Sequence, residues 1–307
     1  MPEGPEVRKY ADALDAALTG RAIVSLEART KDARTWLQEN EPRLKGRRVE
    51  RVISHGKHLL GYIEGDFFFH SHLMMWGRWP TFGPTKTTRK SKPLELPEKD
   101  RRERARIVVE GGAAILLSAP IFNIGEGDPY KQLEILATLG PDALPYHGPF
   151  KRAEFLRRLK EHNDETIGAA LLNQRIVAGL GNYLRAEVLF ACKLNPWRTA
   201  GELTPRNLSC LSKTIPLLTR DAYERGATAA EEDRARMASD PSLVYVPGRE
   251  YGTRHMVFRR TNLPCLRCGE KIRQLRQKTI QLQEDDEERT RIVYFCAKCQ
   301  KVQPAAD

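Results

Sequence analysis

Two cysteine pairs near the C-terminal end of the sequence constrain the fold more than any other feature. Cys265 and Cys268 form one Cys-x-x-Cys unit, and Cys296 and Cys299 form a second. Two such units can place four thiolates around one tetrahedral zinc ion. Because all four ligands would be cysteine, no coordination position remains for water, so we expect one structural Zn2+ rather than a catalytic metal. Four unligated thiols are the less favoured alternative.

The segment between the two cysteine pairs has the pattern of a β-hairpin. Residues 271–278 and 289–295 are predicted as its strands, and the polar residues 281–288 lengthen its tip beyond the usual zinc-ribbon spacing. The other two cysteines, Cys192 and Cys210, stand apart in the sequence, and we predict that both are buried thiols. Paired Cys-x-x-Cys units without a secretory signal are typical of metal ligands in a reducing compartment.

The chain carries an excess of positive charge. Its 307 residues include 51 lysines and arginines against 40 acidic residues, which gives a net charge of +11. This balance indicates a polyanionic partner, most simply nucleic acid, although a basic protein with no such partner is the alternative. The N-terminus lacks a signal-peptide pattern, and no apolar run is long enough to span a bilayer. We therefore expect a monomeric, cytoplasmic protein without membrane contact, associated with the nucleoid if it is bacterial.

Hydrophobic patterning predicts an α+β chain in which the strands come first. Apolar residues recur at helical spacing over residues 5–18, and Gly20 is a natural stop. Strand-like runs follow at residues 22–26, 48–54, 58–63, 67–72, 106–110 and 113–117. A basic surface loop is predicted between them at 85–104. Helical patterns then cover residues 153–161, 166–172, 183–191, 205–223 and, more weakly, 227–240. Many short strands after a single helix predict a β-sandwich or barrel, here followed by a helical domain.

The first six residues, MPEGPE, allow two interpretations. If Met1 is removed, Pro2 carries a free secondary amine that can attack the anomeric carbon of a sugar and form a cationic iminium, which acts as an electron sink. Glu3 would stand beside this amine and move protons. Alternatively, the prolines suit the first turn of a helix and the glutamates complement its dipole. On these six residues alone, the helix start is the favoured interpretation.

Three further stretches have the residue types that contact phosphates or bases. Lys57 lies in a predicted turn, where it is either a solvated charge or a phosphate contact. Glycine-rich residues 177–181 precede Asn182, which is a candidate N-cap. The start of its helix could hold a phosphate. Alternatively, these residues form an ordinary helix–turn–helix corner. Met75 and Trp76 run into a predicted turn, where they either pack in the core or fill the space left by an extruded base.

Taken together, these stretches resemble the formamidopyrimidine-DNA glycosylase/endonuclease VIII family, and the resemblance spans nearly the whole chain. It is carried, in order, by residues 2–6, Lys57, residues 72–77, 139–141 and 174–182, Arg260, and residues 291–296. Each stretch is short, but their order and the N-terminal proline make the match specific. The resemblance reverses the preference at the N-terminus and favours Pro2 as a nucleophile.

The resemblance implies a three-part architecture. A catalytic β-sandwich domain would cover residues 1–148, a helix–two-turn–helix DNA-binding domain residues 149–262, and a zinc finger residues 263–307. It also implies a base-excision-repair enzyme that binds damaged DNA, duplex or single-stranded. Such an enzyme removes an oxidised base and cleaves the strand at the abasic site by β,δ-elimination, without a redox cofactor or catalytic metal.

The resemblance also implies roles for individual residues. Pro2 would be the nucleophile and Glu3 the general acid/base. Lys57 and Arg291 complete the implied catalytic set and, with Asn182, would hold the phosphates around the lesion. The other implied DNA-binding residues are Met75 as a void filler, Trp76, Arg260, Phe122, and Glu6 as a support of the site.

The chain departs from the family pattern at two places. Purine-directed members carry an arginine–phenylalanine wedge where this chain has residues 118–123, which include no arginine. This favours the endonuclease VIII branch and oxidised pyrimidines, with Phe122 either a wedge or a packed loop residue. The second departure is the longer zinc hairpin, which carries Arg291. The alternatives are an oxidised-purine glycosylase, a damage-binding protein without catalysis, and a zinc-finger module for nucleic acid such as RNA.

Overall fold

The computed structural model describes residues 2–83, 96–245, 250–279 and 290–303, and the chain divides into two compact units. Unit 1 is Met1–Thr138 and unit 2 is Leu139–Asp307. Residues 85–95 of the predicted basic loop and all of the predicted hairpin tip at 281–288 lie outside the described residues. The three-domain division at residues 148 and 262 stays a prediction. Within the described ranges, no helix combines the length and the apolar character needed to cross a membrane.

Unit 1 is a β-sandwich with helices packed against it. Its elements in chain order are α1 (Gly4–Leu18), β1 (Ile23–Ala28), α2 (Lys31–Leu44), β2 (Val49–His55), β3 (His58–Ile63), β4 (Phe67–His72), β5 (Thr81–Phe82), β6 (Glu103–Val109), β7 (Gly112–Leu117), β8 (Ile121–Glu126), α3 (Pro129–Gln132) and α4 (Glu134–Ala137). The two antiparallel sheets have the strand orders β1-β6-β7-β5 and β2-β3-β4-β8. Residues from both sheets, α1 and α2 share one buried core, which confirms the predicted sandwich.

Helix α1 is confirmed because its sequence has one narrow apolar stripe. Val7, Ala11, Leu14 and Leu18 are all buried and recur every three to four residues, so they lie on one face of the helix. This face packs against β2 and joins the core of unit 1. The start of α1 is therefore held on a rigid support.

Helix α2 and strand β8 are absent from the sequence-based prediction. Along α2 only Ala33, Leu37 and Leu44 are buried, so its apolar stripe is too thin to stand out from the charged residues around it. It also contains Pro42, which normally indicates the end of a helix. Strand β8 becomes recognisable only through its pairing with β4, a long-range contact.

Unit 2 combines helices with the C-terminal hairpin. Its elements are α5 (Arg152–Lys160), α6 (Ile167–Ala170), α7 (Asn182–Ala191), α8 (Pro205–Arg225), α9 (Glu231–Ser239), β9 (Ile272–Lys278), β10 (Thr290–Cys296), α10 (Ala297–Gln300) and three 3-10 turns at Ala200–Glu202, Pro241–Leu243 and Glu250–Thr253. One cluster of buried apolar residues joins the helices to the hairpin. Helix α8 has a capped start, since Thr204 Oγ1 accepts from the backbone N–H of Asn207 at 3.3 Å.

The prediction of two buried thiols at Cys192 and Cys210 is wrong. The two residues are half-buried and form a disulfide, with their Cα atoms 5.8 Å apart. Helices α7 and α8 pack side by side, which brings the end of α7 next to the first turns of α8. A separation of 18 residues in the sequence does not reveal this proximity.

Candidate functional site

The N-terminal residues lie directly at the start of α1. Glu3 is the N-cap residue and is buried, and Pro2 is half-buried beside it. The Oε2 atom of Glu6 accepts from the backbone N–H of Glu3 at 2.9 Å. This is the reciprocal bond of a capping box, so the helix-start interpretation holds and also fixes the Pro2–Glu3 segment. Glu6 thus supports the N-terminal segment through the backbone.

Lys57 occupies the two-residue turn between β2 and β3. Gly56 precedes it with φ of 56°, a value that glycine adopts without strain and that tight hairpin turns require. The Lys57 side chain is only 8% exposed, which does not fit a freely solvated turn lysine. The fold therefore keeps this cation close to the sheet.

A cluster of histidines surrounds Lys57, and sequence reasoning missed it. The Nδ2 atom of Asn123 lies 3.1 Å from Nδ1 of His70, and Nε2 of His70 lies 2.9 Å from Nδ1 of His58. Asn123, His70 and His58 therefore form one continuous chain of hydrogen bonds. The Nδ1 atom of His72 accepts from the backbone N–H of Met74 at 3.1 Å. The pattern His-x-His after a Gly-Lys-His turn was the available sequence signal.

The buried histidines are neutral at pH 7. Burial, reinforced by the neighbouring His72, lowers the pKa of His70 to about 3. Burial and the nearby Lys57 lower the pKa of His72 to about 4, and burial lowers the pKa of His58 well below its usual value. These imidazoles therefore add no positive charge, and the local cation is Lys57.

The loop after β4 exposes large apolar side chains. The exposed fractions are 51% for Met75 and 78% for Trp76, whereas Leu73 is buried. The loop closes tightly, since Gly77 N donates to Leu73 O at 2.8 Å and a Cβ atom on Gly77 would lie 2.4 Å from that oxygen. Core packing of Met75 and Trp76 is thereby excluded. Exposed apolar side chains on a tight turn are typical of a contact surface.

Phe122 has a packed position, which is the alternative to the wedge role. Phe122 lies in β8, is 1% exposed, and stacks with its ring centroid 6.2 Å from that of Phe69. A second aromatic contact, to Trp79, completes its burial. The side chain is part of the sandwich core and is not available to insert into DNA.

In unit 2, Asn182 and Arg291 are connected through a third residue, Arg185. Asn182 is the first residue of α7, and the N-cap is Gly181, so the predicted N-cap shifts by one residue. Arg185 is fully buried; its Nη2 donates to Oδ1 of Asn182 and, at 2.7 Å, to the backbone oxygen of Ile292. Arg185 therefore ties the start of α7 to the strand that carries Arg291. The sequence signal for this role was the position of Arg185, a charged residue, among the apolar residues of α7.

Gln277 fixes the register of the hairpin against the helices. It pairs with Arg291 across the two strands, and the Arg291 side chain is exposed. The Nε2 atom of Gln277 donates to Thr166 Oγ1 at 3.0 Å and to Pro196 O at 2.9 Å. Gln277 is buried, and a Cβ atom on Gly168 would lie 2.2 Å from its Oε1. Arg291 is thus presented on an anchored strand.

Arg260, which the resemblance places among the DNA-binding residues, has a buried side chain that bonds within the protein. Its side chain is 2% exposed, and its Nη1 donates to Leu243 O at 2.8 Å. Its Nη2 donates to Pro264 O at 3.1 Å, so the guanidinium braces the chain ahead of the first cysteine pair. Burial lowers the pKa of Arg260. The position of Arg260 next to a motif in the sequence did not distinguish this structural role from a contact with DNA.

The four paired cysteines converge on one point. Their Sγ atoms all lie within 4.8 Å of one another, and the Cys268–Cys296 and Cys265–Cys299 separations are 3.5 and 3.9 Å. A tetrahedron with metal–sulfur bonds of about 2.3 Å has edges of about 3.8 Å, so the four atoms fit one tetrahedral ion. Burial raises the pKa of Cys299 to about 11, so ionisation of this thiol needs a compensating cation.

Comparisons with known proteins decide the family. The model described as "Formamidopyrimidine-DNA glycosylase N-terminal domain" matches residues 1–118, and that described as "Formamidopyrimidine-DNA glycosylase H2TH domain" matches residues 139–233. The Endonuclease 8 of Pectobacterium atrosepticum is 30% identical over 308 residues, covering 98% of this chain and 100% of that protein. The chain belongs to the formamidopyrimidine-DNA glycosylase/endonuclease VIII family.

Relatives from both branches of this family are similar to the chain. The Formamidopyrimidine-DNA glycosylase of Dinoroseobacter shibae is 28% identical over 308 residues, covering 98% of this chain and 100% of that protein. Among solved structures, a complex of Lactococcus lactis Fpg with abasic-site DNA aligns with a TM-score of 0.72 and 22% identity, covering 97% of this chain and 99% of that one. At this identity the structural likeness shows that the formamidopyrimidine-DNA glycosylase/endonuclease VIII fold is shared.

Proposed function

We propose that the protein is a bifunctional DNA glycosylase and abasic-site lyase that removes oxidised bases, preferentially pyrimidines, in base-excision repair. The supporting observation is the start of α1, where Pro2 and Glu3 adjoin a capped helix whose apolar face is buried. A catalytic amine must be held in a defined place, and this support provides it. The enzyme acts where its DNA substrate is, which in a bacterium is the cytoplasm.

In the first half of the reaction, the Pro2 nitrogen attacks C1′ of the damaged nucleotide. The bond between C1′ and the base breaks, and its electron pair leaves with the base. The secondary amine gives up its N–H proton as the bond to C1′ forms, and Glu3 relays protons to the leaving base and to the sugar-ring oxygen. Ring opening then yields an iminium between Pro2 and C1′, which is cationic because the proline nitrogen carries no spare proton.

In the second half, the iminium withdraws electrons from C2′. A base, Glu3 or a water molecule that it orients, removes a C2′ proton, and the C3′–O bond breaks with loss of the 3′ phosphate. A second elimination breaks the C5′–O bond and releases the 5′ phosphate. Hydrolysis of the remaining iminium frees Pro2 for another turnover.

The other site residues hold and expose the nucleotide. Chemistry at C1′ requires the damaged nucleotide to leave the base stack. Lys57, Asn182 and Arg291 would bind the flanking phosphates, and cations at these positions give salt-dependent affinity. Met75 or Trp76 would fill the vacated space, which accounts for two exposed apolar side chains on a tight turn.

We propose Zn2+ as the ion held by Cys265, Cys268, Cys296 and Cys299. Four thiolates satisfy zinc completely, so the ion would cross-link the base of the hairpin and take no part in the reaction. The hairpin in turn carries Arg291.

Two observations support pyrimidine lesions. Residues 118–123 contain no arginine, and the phenylalanine among them, Phe122, is buried. The relative with 30% identity is named Endonuclease 8. Oxidised purines are the second candidate, because the similarly related protein of Dinoroseobacter shibae is named Formamidopyrimidine-DNA glycosylase.

Borohydride trapping tests the chemistry. The wild-type protein, incubated with abasic-site duplex and sodium borohydride, should form a covalent adduct that peptide mapping places on Pro2, because borohydride reduces the iminium. Glu3→Gln should retain DNA binding but lose base removal. A protein that binds abasic DNA without any adduct would be a damage-binding protein, and the proposed mechanism would be wrong.

A panel of duplexes tests the lesion preference. Matched substrates carrying dihydrothymine or 8-oxoguanine at the same position should be compared under single-turnover conditions. Faster excision of the oxidised pyrimidine is expected. Faster excision of the oxidised purine would support the second candidate and leave the Pro2 chemistry intact.

A further inference from the structure

A cavity at the C-terminal end of α7 has features that the proposed repair reaction does not use. Its volume is about 520 Å³, and its walls come from the end of α7, the start of α8 and the helix α10 that follows the last strand. A cavity of this size is in the range of small-molecule sites in proteins. Since α7 has ten residues and rises about 1.5 Å per residue, the cavity lies about 15 Å from Asn182 along the helix.

The residues around this cavity have one sign of charge. Its lining includes four cations and no carboxylate; the cations are Lys193, Arg198, Arg206 and Lys301. Among the described residues none of the four takes part in an ion pair. Arg198 donates to the backbone oxygen of Glu202, whose carboxylate accepts instead from the backbone of Thr199 at 2.7 Å. The Glu202 carboxylate, which is not part of the lining, interacts electrostatically with Arg198 and offsets part of its charge. The lining itself keeps an excess of positive charge, which an anion would neutralise.

Two amide side chains in the lining add hydrogen-bond donors. The Oδ1 atom of Asn195 accepts from Trp197 N at 2.9 Å, and the Oδ1 atom of Asn207 accepts from Thr204 Oγ1 at 2.9 Å. Their oxygens are therefore occupied, and in the part of the chain that the structure describes their NH2 groups have no acceptor in the protein. Cations together with free amide donors suit the oxygens of a phosphate group.

The walls of the cavity are fixed in place. The Cys192–Cys210 disulfide joins the end of α7 to α8. Gln300, which is buried, donates through Nε2 to Leu194 O at 2.8 Å and so joins α10 to the segment after α7. The thiol of Cys299, a member of the cysteine cluster, lines the same cavity. The site is thus preformed, which reduces the entropic cost of binding.

We propose that this cavity binds a phosphorylated small molecule of nucleotide size, at a site distinct from the damaged-DNA site. The four cations and two amides hold its phosphates, and the cavity volume accommodates the remainder of the molecule. A DNA backbone carries the same phosphate chemistry, and the experiment distinguishes the two sources.

The backbone conformation at two of the cations allows substitution by glycine. Lys193 and Lys301 both have positive φ, 54° and 52°, a region in which glycine is favoured over any other residue. Replacing both with glycine, Lys193→Gly/Lys301→Gly, removes two charges without adding backbone strain. The matched control is Lys160→Gln/Arg220→Gln, which removes two exposed charges of the same unit that do not line the cavity.

The test is calorimetric titration of the zinc-loaded, full-length protein with inorganic tripolyphosphate and with adenosine triphosphate. The wild type and the control pair should each bind the anion at one site. The glycine pair should bind the anion at least about tenfold more weakly. Affinity for abasic-site duplex should be the same in all three proteins. If the glycine pair fails to fold, Arg206→Gln, a change at an exposed side chain, replaces it.

Three results would overturn the proposal. Absence of binding would mean that the cavity holds no phosphate. Equal weakening in the control pair would mean that the anions associate only with the overall positive charge. If the glycine pair instead weakened abasic-duplex binding and lowered its salt dependence, the cavity would hold the DNA backbone. None of these measurements depends on catalysis, so the proposal stands or falls independently of the Pro2 mechanism.

Discussion

Replacing Glu187 with glutamine should destabilise unit 2 more than any surface change. Glu187 lies in α7 and is fully buried. Its Oε1 accepts from the backbone N–H groups of Val257 and Phe258 at 2.8 and 2.9 Å. Its Oε2 accepts from Met256 N and from Thr228 Oγ1, both at 2.7 Å. Four donors thus meet two oxygens, and only an ionised carboxylate accepts from all of them.

The magnitude follows from counting the acceptors that are lost. A glutamine side chain keeps one oxygen, so whichever way the amide is oriented its NH2 group faces at least one backbone N–H. The Thr228 hydroxyl can instead turn to the backbone oxygen of Arg254, 3.2 Å away. Hydrogen bonds to a charged group contribute about 1.5–3 kcal/mol each, and a buried N–H without an acceptor is costly. Removing the buried charge recovers part of this loss. We expect Glu187→Gln to lower the free energy of unfolding by about 3 kcal/mol, a large share of the ~5–15 kcal/mol typical of a domain.

Urea unfolding of the zinc-loaded protein provides the measurement. The control is Glu224→Gln at an exposed position of α8, which should change the free energy of unfolding by less than about 0.5 kcal/mol. A loss of under about 1 kcal/mol in Glu187→Gln, with an unchanged urea dependence, would refute the reasoning. It would mean that the segment 256–258 finds other acceptors at little cost.

The remaining predictions concern the loop, the hairpin, the histidines and the disulfide. Met75→Ala/Trp76→Ala should leave stability within about 0.5 kcal/mol but slow base removal from duplex more than from single-stranded DNA; equal slowing would exclude a role in base extrusion. Arg291→Ala should weaken abasic-duplex binding and reduce its salt slope by about one, and an unchanged slope would remove Arg291 from the phosphate contacts. In urea titrations, the free energy of unfolding should fall by about 1.4 kcal/mol per pH unit for each of His70 and His72 as the pH drops below 6.5. The reason is that these imidazoles take up protons in the unfolded chain, whereas in the folded protein their pKa values of about 3 and 4 keep them neutral. A flat profile in this range would contradict their burial. Cys192→Ser/Cys210→Ser should cost about 3 kcal/mol through loop closure, and thiol titration of the denatured, unreduced wild type after zinc removal should count four thiols; a count of six would exclude the disulfide.

Local patterns account for the part of the fold that could be predicted from the sequence. The stripe on α1 and the short apolar runs in β3 and β4 are properties of a few neighbouring residues, so they are visible without knowledge of the fold. The same holds for the Cys-x-x-Cys pairs, whose spacing is itself the ligand geometry. Helix α2, strand β8 and the disulfide depend instead on which distant segment lies next to them, and no local pattern contains that information.

Burial separates the site residues that could be predicted from those that could not. Arg260 and Phe122 were assigned to DNA because they lie beside or within motif positions, yet both are enclosed by the protein. Sequence reasoning missed Arg185 and His70, although both are buried polar residues with supporting bonds. Arg185 bonds to Asn182 of the proposed site, and His70 bonds to His58, the residue after Lys57. Polar residues embedded in apolar segments are costly unless they are bonded, so such residues are the better sequence signal for supporting roles.

The hairpin explains why the longer zinc segment need not displace Arg291. The extra residues follow Lys278 and precede Thr290, and these two residues already pair with each other. Arg291 pairs one step nearer the cysteines, with Gln277, whose amide is bonded to Thr166 and Pro196. The register at Arg291 is therefore set by the anchored Gln277 and by the cysteine cluster at the base. Insertions beyond the Lys278–Thr290 pair can change the length of the tip without shifting the arginine relative to α7.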